Sequence, residues 1–287
     1  MREGTPSQTA YRVAMRRAAH QILDRPLVLD DPVALTIIGP RAAAEIEALR
    51  WHYDSSFGRA LRLFLVARSR VAEDALAQAV AAGVRQYVVL GAGLDTFAYR
   101  NPYPDLRVFE IDVPATQAWK RDLLRRTRIA EPPSLTFVPI DFETQSLPEQ
   151  LAAAGFLAAE RAFFSWLGVT MYLTADAIMS TLRYVAERPA GSGITFDYLT
   201  PPHRLPWMRR IGFHWLARRL AAAGEPWTTW FESDTLDRQL RAMGFSTLEN
   251  LDGPGLDRRY FGGREKRLGG VSAGCVMTGW NAASAPK

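Results

Sequence analysis

Two glycines that follow a short apolar run are the residues with the clearest chemical potential in this chain. Residues 87–90 are β-branched and aromatic, as in a buried strand, and lead directly into Gly91-Ala92-Gly93-Leu94-Asp95. Glycines in such a turn let the backbone approach a ligand where a Cβ atom would collide. A second apolar run ends on Glu110-Ile111-Asp112, about 20 residues after Gly91, the distance at which a second-strand carboxylate reaches a ribose hydroxyl. The pattern predicts a site for a nucleotide-type cofactor.

Two kinds of cofactor fit this spacing. The dinucleotide fingerprint Gly-x-Gly-x-x-Gly has its third glycine where this chain has Thr96, which argues against a helix packed closely beneath a pyrophosphate. S-adenosylmethionine carries no phosphate and needs only the first two glycines. Both cofactors remain open at this point, and the ligand-free alternative is a tight strand-to-helix turn.

The histidines bear on acid–base and metal chemistry. His20, His52, His203 and His214 show no metal-ligand spacing with cysteine or acidic residues, so we expect no metal. A phenol or alcohol nucleophile would need a general base within hydrogen-bond reach. His20, in a predicted N-terminal helix, and His203, just after a predicted strand, are the candidates. For each, the alternative is a partly buried, hydrogen-bonded histidine without a catalytic role.

Composition limits the class of protein. With 287 residues, 48% of them apolar, the chain can bury a full core, and its length predicts one or two domains. Cys275 is the single cysteine, which leaves no internal disulfide and favours a reducing cytoplasm. Neither a signal peptide nor a membrane span is expected, because no stretch of about 18 apolar residues lacks a charge. The net charge of +5 is spread over arginines interspersed with acids, so nucleic acid is not an expected partner.

The elements that must position these residues alternate between strand and helix. Such alternation predicts an α/β fold, with a mostly parallel sheet between helices. A helix, a strand, a glycine-rich loop that includes Gly253, Gly255, Gly262 and Gly263, and a final strand predict that the last strand is antiparallel. The predicted helices are 9–23, 56–82, 115–128, 147–154, 174–187 and 233–243, and the predicted strands are 86–90, 107–111, 135–139, 162–166, 193–198, 246–251 and 274–280.

Motifs spread over nearly the whole chain resemble the leucine carboxyl methyltransferase family of class I S-adenosylmethionine-dependent methyltransferases, which includes bacterial polyketide O-methyltransferases. The combination of Gly-Ala-Gly-x-Asp-Thr with Phe-Glu-x-Asp-x-Pro is a poor match to ordinary dehydrogenases. The motifs are residues 10–20 with Asp31-Pro32, residues 67–70, residues 90–96, residues 109–114 with Lys120, Asp141-Phe142 and Tyr172-Leu173.

The resemblance implies a Rossmann-like fold, S-adenosylmethionine as cofactor and S-adenosylhomocysteine as product. It also implies that an arginine grips the methionine carboxylate, that the glycine turn lies beside the methionine portion, and that acids hold the ribose and the adenine. The residues in these roles are Arg68 for the carboxylate, Gly91, Ala92, Gly93 and Asp95 for the turn, Asp112 with Glu110 for the ribose, and Asp141 with Phe142 for the adenine.

One position departs from the family's pattern. The family commonly carries a glutamate after the fourth strand, where this chain has Leu167 or a neighbour. Ser165 and Trp166 are then the strand-end groups expected to face the cofactor. The departure argues against a substrate handled as in the members that methylate the C-terminal leucine of a phosphatase.

The same reasoning divides the chain into four regions. Residues 1–84 are expected to form a helical lid or cap, and residues 85–200 the S-adenosylmethionine-binding core. Residues 201–231, rich in tryptophan and arginine, are expected to form a helical insertion over the acceptor site. Residues 232–287 would complete the core sheet.

We therefore expect an S-adenosylmethionine-dependent O-methyltransferase acting on a small-molecule carboxylate or hydroxyl, aromatic or polyketide-like. His20, His203 and Tyr172 are its candidate catalytic residues, with Tyr172 orienting substrate or cofactor. Neither nucleic acid nor membrane is an expected partner. The alternatives are methylation of a protein C-terminal carboxylate, a nicotinamide-dependent oxidoreductase and a non-catalytic S-adenosylmethionine-binding protein.

Overall fold

A seven-stranded sheet forms the centre of the computed structural model. The structure describes residues 7–140, 145–204, 226–262 and 273–281, with residues 210, 217, 218, 221 and 268. The strand order is β3-β2-β1-β4-β5-β7-β6, in which β7 runs antiparallel to both of its neighbours, β5 and β6, and the other pairs are parallel. The strands are β1 Gln86–Leu90, β2 Arg107–Asp112, β3 Leu135–Pro139, β4 Ala162–Trp166, β5 Gly193–Leu199, β6 Phe245–Leu251 and β7 Gly274–Asn281.

Among the described residues, five α-helices precede the first strand, and others connect the strands. The helices are α1 Gln8–Leu23, α2 Val33–Ile37, α3 Ala42–Ala48, α4 Arg50–Asp54, α5 Ser56–Ala81, α6 Pro114–Thr127, α7 Leu147–Ala153, α8 Ala175–Ala186, α9 Ser233–Met243 and α10 Gly253–Tyr260. Within the described residues, no helix is both long and apolar enough to span a bilayer.

The core lies on both faces of the sheet. Because successive strand residues point to opposite faces, Val88 and Leu90 pack into one cluster with side chains of α7, α8 and α9. Tyr87 and Val89 face the other way and pack against α5. Burial on both faces explains why these strands appear in the sequence as continuous apolar runs.

The predicted fold class is confirmed, including the antiparallel final strand. β7 pairs with β5 from Gly193 opposite Trp280 to Leu199 opposite Gly274. The parallel strands all end at the same edge, so the turn after β1, the end of β2 and the end of β4 meet there.

The structure departs from the predicted elements in two places. Helices α2 to α4 are short and were not predicted. The predicted glycine loop over 252–273 contains α10, because Asp252 accepts a hydrogen bond from the amide of Gly255 and a proline stands in the first turn. Most of the predicted insertion over 201–231 lies outside the described residues.

A buried polar network fastens α1 to the turn after β1. The Nη2 atom of Arg17 donates to the Thr96 hydroxyl at 2.5 Å and pairs with Asp31, and Thr96 donates to Asp31 at 2.7 Å. All three residues are buried. Although burial favours the neutral acid, the charges of Arg17 and Arg100 lower the pKa of Asp31. Thr96, which replaces the third glycine of a dinucleotide loop, therefore connects the N-terminal helices to the sheet edge.

We expect Thr96→Val to lower the free energy of unfolding by about 2 kcal/mol, because it keeps the shape of the side chain and leaves two buried charged groups short of one partner. Urea unfolding monitored by circular dichroism measures this loss. Thr235→Val on α9, an exposed site, is the matched control and should change stability by less than about 0.5 kcal/mol. Equal losses in both variants would contradict the prediction.

Candidate active site

A cavity of about 470 Å³ lies at the carboxyl ends of β1, β2 and β4, between the sheet edge and helices α1 and α5. Its volume falls in the range of about 300–1,000 Å³ that is usual for small-molecule and cofactor sites. Its wall consists of Ser7, Thr9, Ala10, Val13, Ala14, Arg17, Arg68, Ser69, Ala72, Glu73, Tyr87, Val89, Leu90, Gly91, Ala92, Gly93, Leu94, Asp95, Phe97, Asp112, Val113, Pro114, Ala115, Ser165, Leu167, Gly168, Val169, Tyr172 and Leu173.

The turn after β1 requires glycine for two reasons. Gly91 and Gly93 have φ angles of +65° and +50°, a region that residues with a Cβ atom rarely adopt. A Cβ atom on Gly91 would also lie 2.3 Å from Cγ2 of Val169, and one on Gly93 would lie 3.1 Å from Cβ of Ala10. The missing side chains thus let α1 and the loop after β4 close over the turn.

Asp112 at the end of β2 is fixed by backbone amides. Gly93 donates to its Oδ2 atom at 2.6 Å, and Val113 donates to Oδ1 at 2.8 Å. Burial raises the pKa of Asp112, against the effect of these two hydrogen bonds. Each carboxylate oxygen keeps a lone pair for a further donor, such as a ligand hydroxyl.

Arg68 projects from α5 into the same cavity. Its Nη1 atom donates to Oδ2 of Asp197 on β5 at 2.6 Å, whereas its buried Nε has no hydrogen-bond partner among the described residues. A buried N–H group without a partner is rare in folded proteins and indicates a missing acceptor. The arginine therefore has donor capacity left for an anionic ligand group.

Ser165 and Trp166 point to opposite sides of β4. Ser165 lines the cavity and accepts a hydrogen bond from the Tyr87 hydroxyl at 2.8 Å. Trp166 is fully buried in the core on the other face of the sheet. The structure thus brings Ser165 to the cavity and does not bring Trp166 there, since adjacent strand residues alternate between faces.

Glu110 was predicted to assist Asp112, but the structure does not place it in the cavity wall. Its Oε2 atom accepts a hydrogen bond from the Lys120 ammonium at 2.6 Å, and both side chains are almost completely buried. Burial raises the pKa of Glu110, and Lys120 opposes that shift. Because Glu110 lies two residues before the end of β2, its carboxylate stays behind the sheet edge while that of Asp112 reaches it.

Neither predicted histidine lines the cavity. His20 is fully buried, with Nδ1 2.8 Å from Asp24 and Nε2 accepting the amide of Val28 at 3.1 Å. Both ring nitrogens are therefore engaged within the protein, and the structure does not bring His20 to the cavity wall. His203 is exposed, and its Nε2 lies 3.1 Å from Glu232. Tyr172 does line the cavity.

Sequence reasoning missed several charged residues of the site. Glu73 lines the cavity and binds Arg100, whose Nη1 donates to its Oε2 at 2.8 Å. Arg17 and Asp197 were likewise not singled out: Arg17 lies within the motif of residues 10–20 but was assigned no role there, and Asp197 lies in no motif. Asp141 and Phe142, predicted to surround the adenine, lie outside the described residues.

The described part of the chain contains no group of three or more His, Cys, Asp or Glu side chains that could hold a metal ion.

Comparisons with known proteins agree with this architecture. The family model for leucine carboxyl methyltransferase matches residues 10–186. A relative from Bacillus subtilis (strain 168), provisionally named an S-adenosyl-L-methionine-dependent methyltransferase, YktD, is 30% identical over 93% of this chain and 95% of its own length. A similarly named protein from Frankia alni is 35% identical over 64% of this chain and 65% of its own length.

Two crystal structures show the same fold. A protein from Thermobifida fusca, provisionally described as a methyltransferase, matches with a TM-score of 0.59 at 18% identity, covering 98% of this chain and 97% of its own. A DUF574 family protein from Streptomyces avermitilis matches with a TM-score of 0.54 at 15% identity, covering 94% and 97%.

The fold and the matched sequences define an S-adenosylmethionine-dependent methyltransferase of class I. Within that class, the chain belongs to the leucine carboxyl methyltransferase family. The cofactor is S-adenosylmethionine, and the nicotinamide-dependent and non-catalytic alternatives are set aside. The site fits this cofactor, because it combines a glycine turn, an arginine with an unpartnered buried N–H and a fixed carboxylate in one cavity.

We expect Asp112→Asn to weaken the binding of S-adenosylhomocysteine by about 10- to 100-fold, because a carboxylate hydrogen bond to a ligand hydroxyl contributes about 1.5–3 kcal/mol. Isothermal titration calorimetry measures the dissociation constant. Asp122→Asn on α6 removes a carboxylate that is partly exposed and paired only with surface arginines, and it should leave the constant unchanged. Wild-type affinity in Asp112→Asn would refute the assignment.

The contacts of Asp24 with His20 and Arg62 predict that the protein loses stability in acid. Although burial opposes the shift, hydrogen bonds from His20 and Arg62 lower the pKa of Asp24 from 3.8 to about 2. A carboxyl whose pKa is lower in the folded state stabilises the protein above its unfolded pKa, and this stability is lost as the pH falls toward the folded pKa. Asp24 should therefore contribute about 1 kcal/mol less at about pH 3 than at about pH 6.

Urea unfolding of the wild type and of Asp24→Asn at both pH values tests this prediction. The variant should be less stable at neutral pH and should lose less stability on acidification. Parallel losses in the two proteins would show that Asp24 does not have a lowered pKa.

Proposed function

We propose that the protein is an S-adenosylmethionine-dependent O-methyltransferase of a small-molecule acceptor, with an aromatic or polyketide-like carboxylic acid as the preferred class. In this proposal Arg68 holds the methionine carboxylate, the turn at Gly91 to Gly93 lies beside the methionine portion, and Asp112 holds the ribose hydroxyls. When bound, S-adenosylmethionine supplies an electrophilic methyl group on a sulfonium sulfur.

The observation that carries the proposal is the roof formed by α1. Ala10, Val13 and Arg17 of this helix line the cavity, and the Arg17–Asp31–Thr96 network holds the helix against the turn after β1. A cavity roofed in this way favours a compact acceptor over an extended protein tail. It also excludes water and aligns the reacting groups, which are the main contributions a protein makes to methyl transfer.

The lining supports an aromatic or polyketide-like acceptor. Val13, Leu167, Val169 and Leu173 give the wall a large apolar share, and Tyr172 adds a ring. Apolar walls with a few polar groups are typical of sites for ring-containing small molecules.

The placement of the histidines supports a carboxyl oxygen as nucleophile. A carboxylate is already ionised at neutral pH, whereas a phenol or alcohol needs a base within hydrogen-bond reach. His20 is committed to Asp24 and the Val28 amide, and His203 lies beside Glu232. The three carboxylates of the described cavity wall have partners as well: Glu73 pairs with Arg100, Asp95 with Arg17 and the Phe97 amide, and Asp112 with backbone amides.

The proposal predicts a base-labile product. The protein would be incubated with S-adenosylmethionine and a panel of aromatic acids, their carboxamides, phenols and a leucine-terminated peptide, and S-adenosylhomocysteine would be quantified by mass spectrometry. We expect turnover with aromatic acids, none with the carboxamides, and release of methanol when the product is treated with alkali. Asp112→Asn serves as the background control.

An alkali-stable methyl product would indicate that the acceptor is a hydroxyl oxygen and would contradict the carboxyl assignment. Turnover restricted to the peptide would contradict the small-molecule acceptor.

A further inference from the structure

We propose that Asp197 is a positioning residue that orients Arg68 toward the carboxylate of the cofactor. The inference rests on the proposed role of Arg68 and extends it to a residue on another element of the fold. Asp197 lies on β5 and is 1% exposed, whereas Arg68 lies on α5, more than one hundred residues away in the sequence.

The side-chain contacts of Asp197 divide between two partners. Its Oδ2 atom accepts a hydrogen bond from Nη1 of Arg68 at 2.6 Å, and its Oδ1 atom accepts the amide of Gly168 at 2.6 Å. Its carbonyl oxygen accepts the Thr170 hydroxyl at 2.6 Å. One buried residue thus holds both the guanidinium and the loop after β4 that lines the cavity.

The loop after β4 also lies close to the guanidinium. Gly168 has a φ of +76°, and a Cβ atom there would lie 2.8 Å from Nη2 of Arg68. Asp197 and the backbone of this loop therefore both restrict the planar guanidinium. Such confinement removes rotamer freedom from a side chain that would otherwise lose it on binding a ligand.

The arginine keeps donors for a second carboxylate. Asp197 uses only Nη1 in the described contacts, and Nε is buried without a partner. A guanidinium has five N–H donors in a fixed plane, so fixing one nitrogen fixes the direction of the others. The negative charge of Asp197 also repels a ligand carboxylate. The orientation of Arg68 by Asp197 favours binding by more than this repulsion opposes it.

The test compares two ligands that differ only in the amino-acid portion. S-adenosylhomocysteine carries the carboxylate, whereas 5′-methylthioadenosine has the same nucleoside and a thioether but no carboxylate. We expect Asp197→Asn to weaken S-adenosylhomocysteine about tenfold in calorimetry, the effect of freeing one arginine side chain, and to change 5′-methylthioadenosine less than about twofold. In a protein that already carries Arg68→Lys, adding Asp197→Asn should change the affinity for S-adenosylhomocysteine little further.

The matched control is Asp257→Asn. Asp257 is another buried carboxylate that accepts a backbone amide, from Leu268, and it does not line the cavity. This variant should leave both affinities unchanged. Thermal unfolding of each variant shows whether the protein is folded under the conditions of titration.

A second perturbation does not depend on the stability of the Asp197 variant. Gly168→Ala leaves the charge of Asp197 in place and displaces the guanidinium through the new Cβ atom. It should also weaken S-adenosylhomocysteine and spare 5′-methylthioadenosine.

Three results would overturn the inference. Equal weakening of both ligands would give Asp197 a general structural role, and unchanged or tighter binding of S-adenosylhomocysteine would show that orientation does not outweigh repulsion. If wild type and Arg68→Lys bind S-adenosylhomocysteine equally well, Arg68 does not hold the carboxylate. That last result also removes the proposed role of Arg68, whereas the first two leave it intact.

Discussion

The buried pairing of Arg17 with Asp31 and Thr96 is the constraint on which the site depends. It joins α1, the segment before α2 and the turn after β1 at one point, and Arg17 also pairs with Asp95 of that turn at 3.4 Å. Buried charges cost several kcal/mol unless they are paired and hydrogen-bonded. Arg17 and Asp31 are paired in this way only when α1 lies over the cavity. The pairing of these buried charges therefore also sets the shape of the cavity.

Other charged side chains of the cavity wall are also held by hydrogen-bonding partners. Arg68 is held by Asp197, Glu73 by Arg100, and Asp112 by two backbone amides. Each charged group is thus oriented before any ligand arrives, which reduces the entropy that binding must supply. A cofactor that carries a carboxylate, an ammonium, a sulfonium and two ribose hydroxyls suits a wall in which both signs of charge are fixed at separate points.

Local structure in the sequence accounts for part of the cavity wall. The two glycines and Asp112 line the cavity because a strand, a tight turn and a second strand bring them to the sheet edge. Arg68 on α5 also lines it and was expected only from the resemblance to the family. Sequence reasoning does not place a residue where one residue of spacing or one tertiary partner decides. Trp166 points to the opposite face of β4 from Ser165. Glu110 lies two residues before the end of β2 and pairs with Lys120.

The sequence by itself determined the α/β class, the succession of the main strands and helices along the chain and the cofactor motif, because hydrophobic periodicity and glycine turns are encoded within short windows. Only the tertiary structure decided which polar residues share the cavity. His20 is bound to Asp24 and Val28, whereas Arg68 meets Asp197 across more than one hundred residues of chain. Hydrogen bonds between distant elements have no local signature, since they depend on how the helices pack on the sheet.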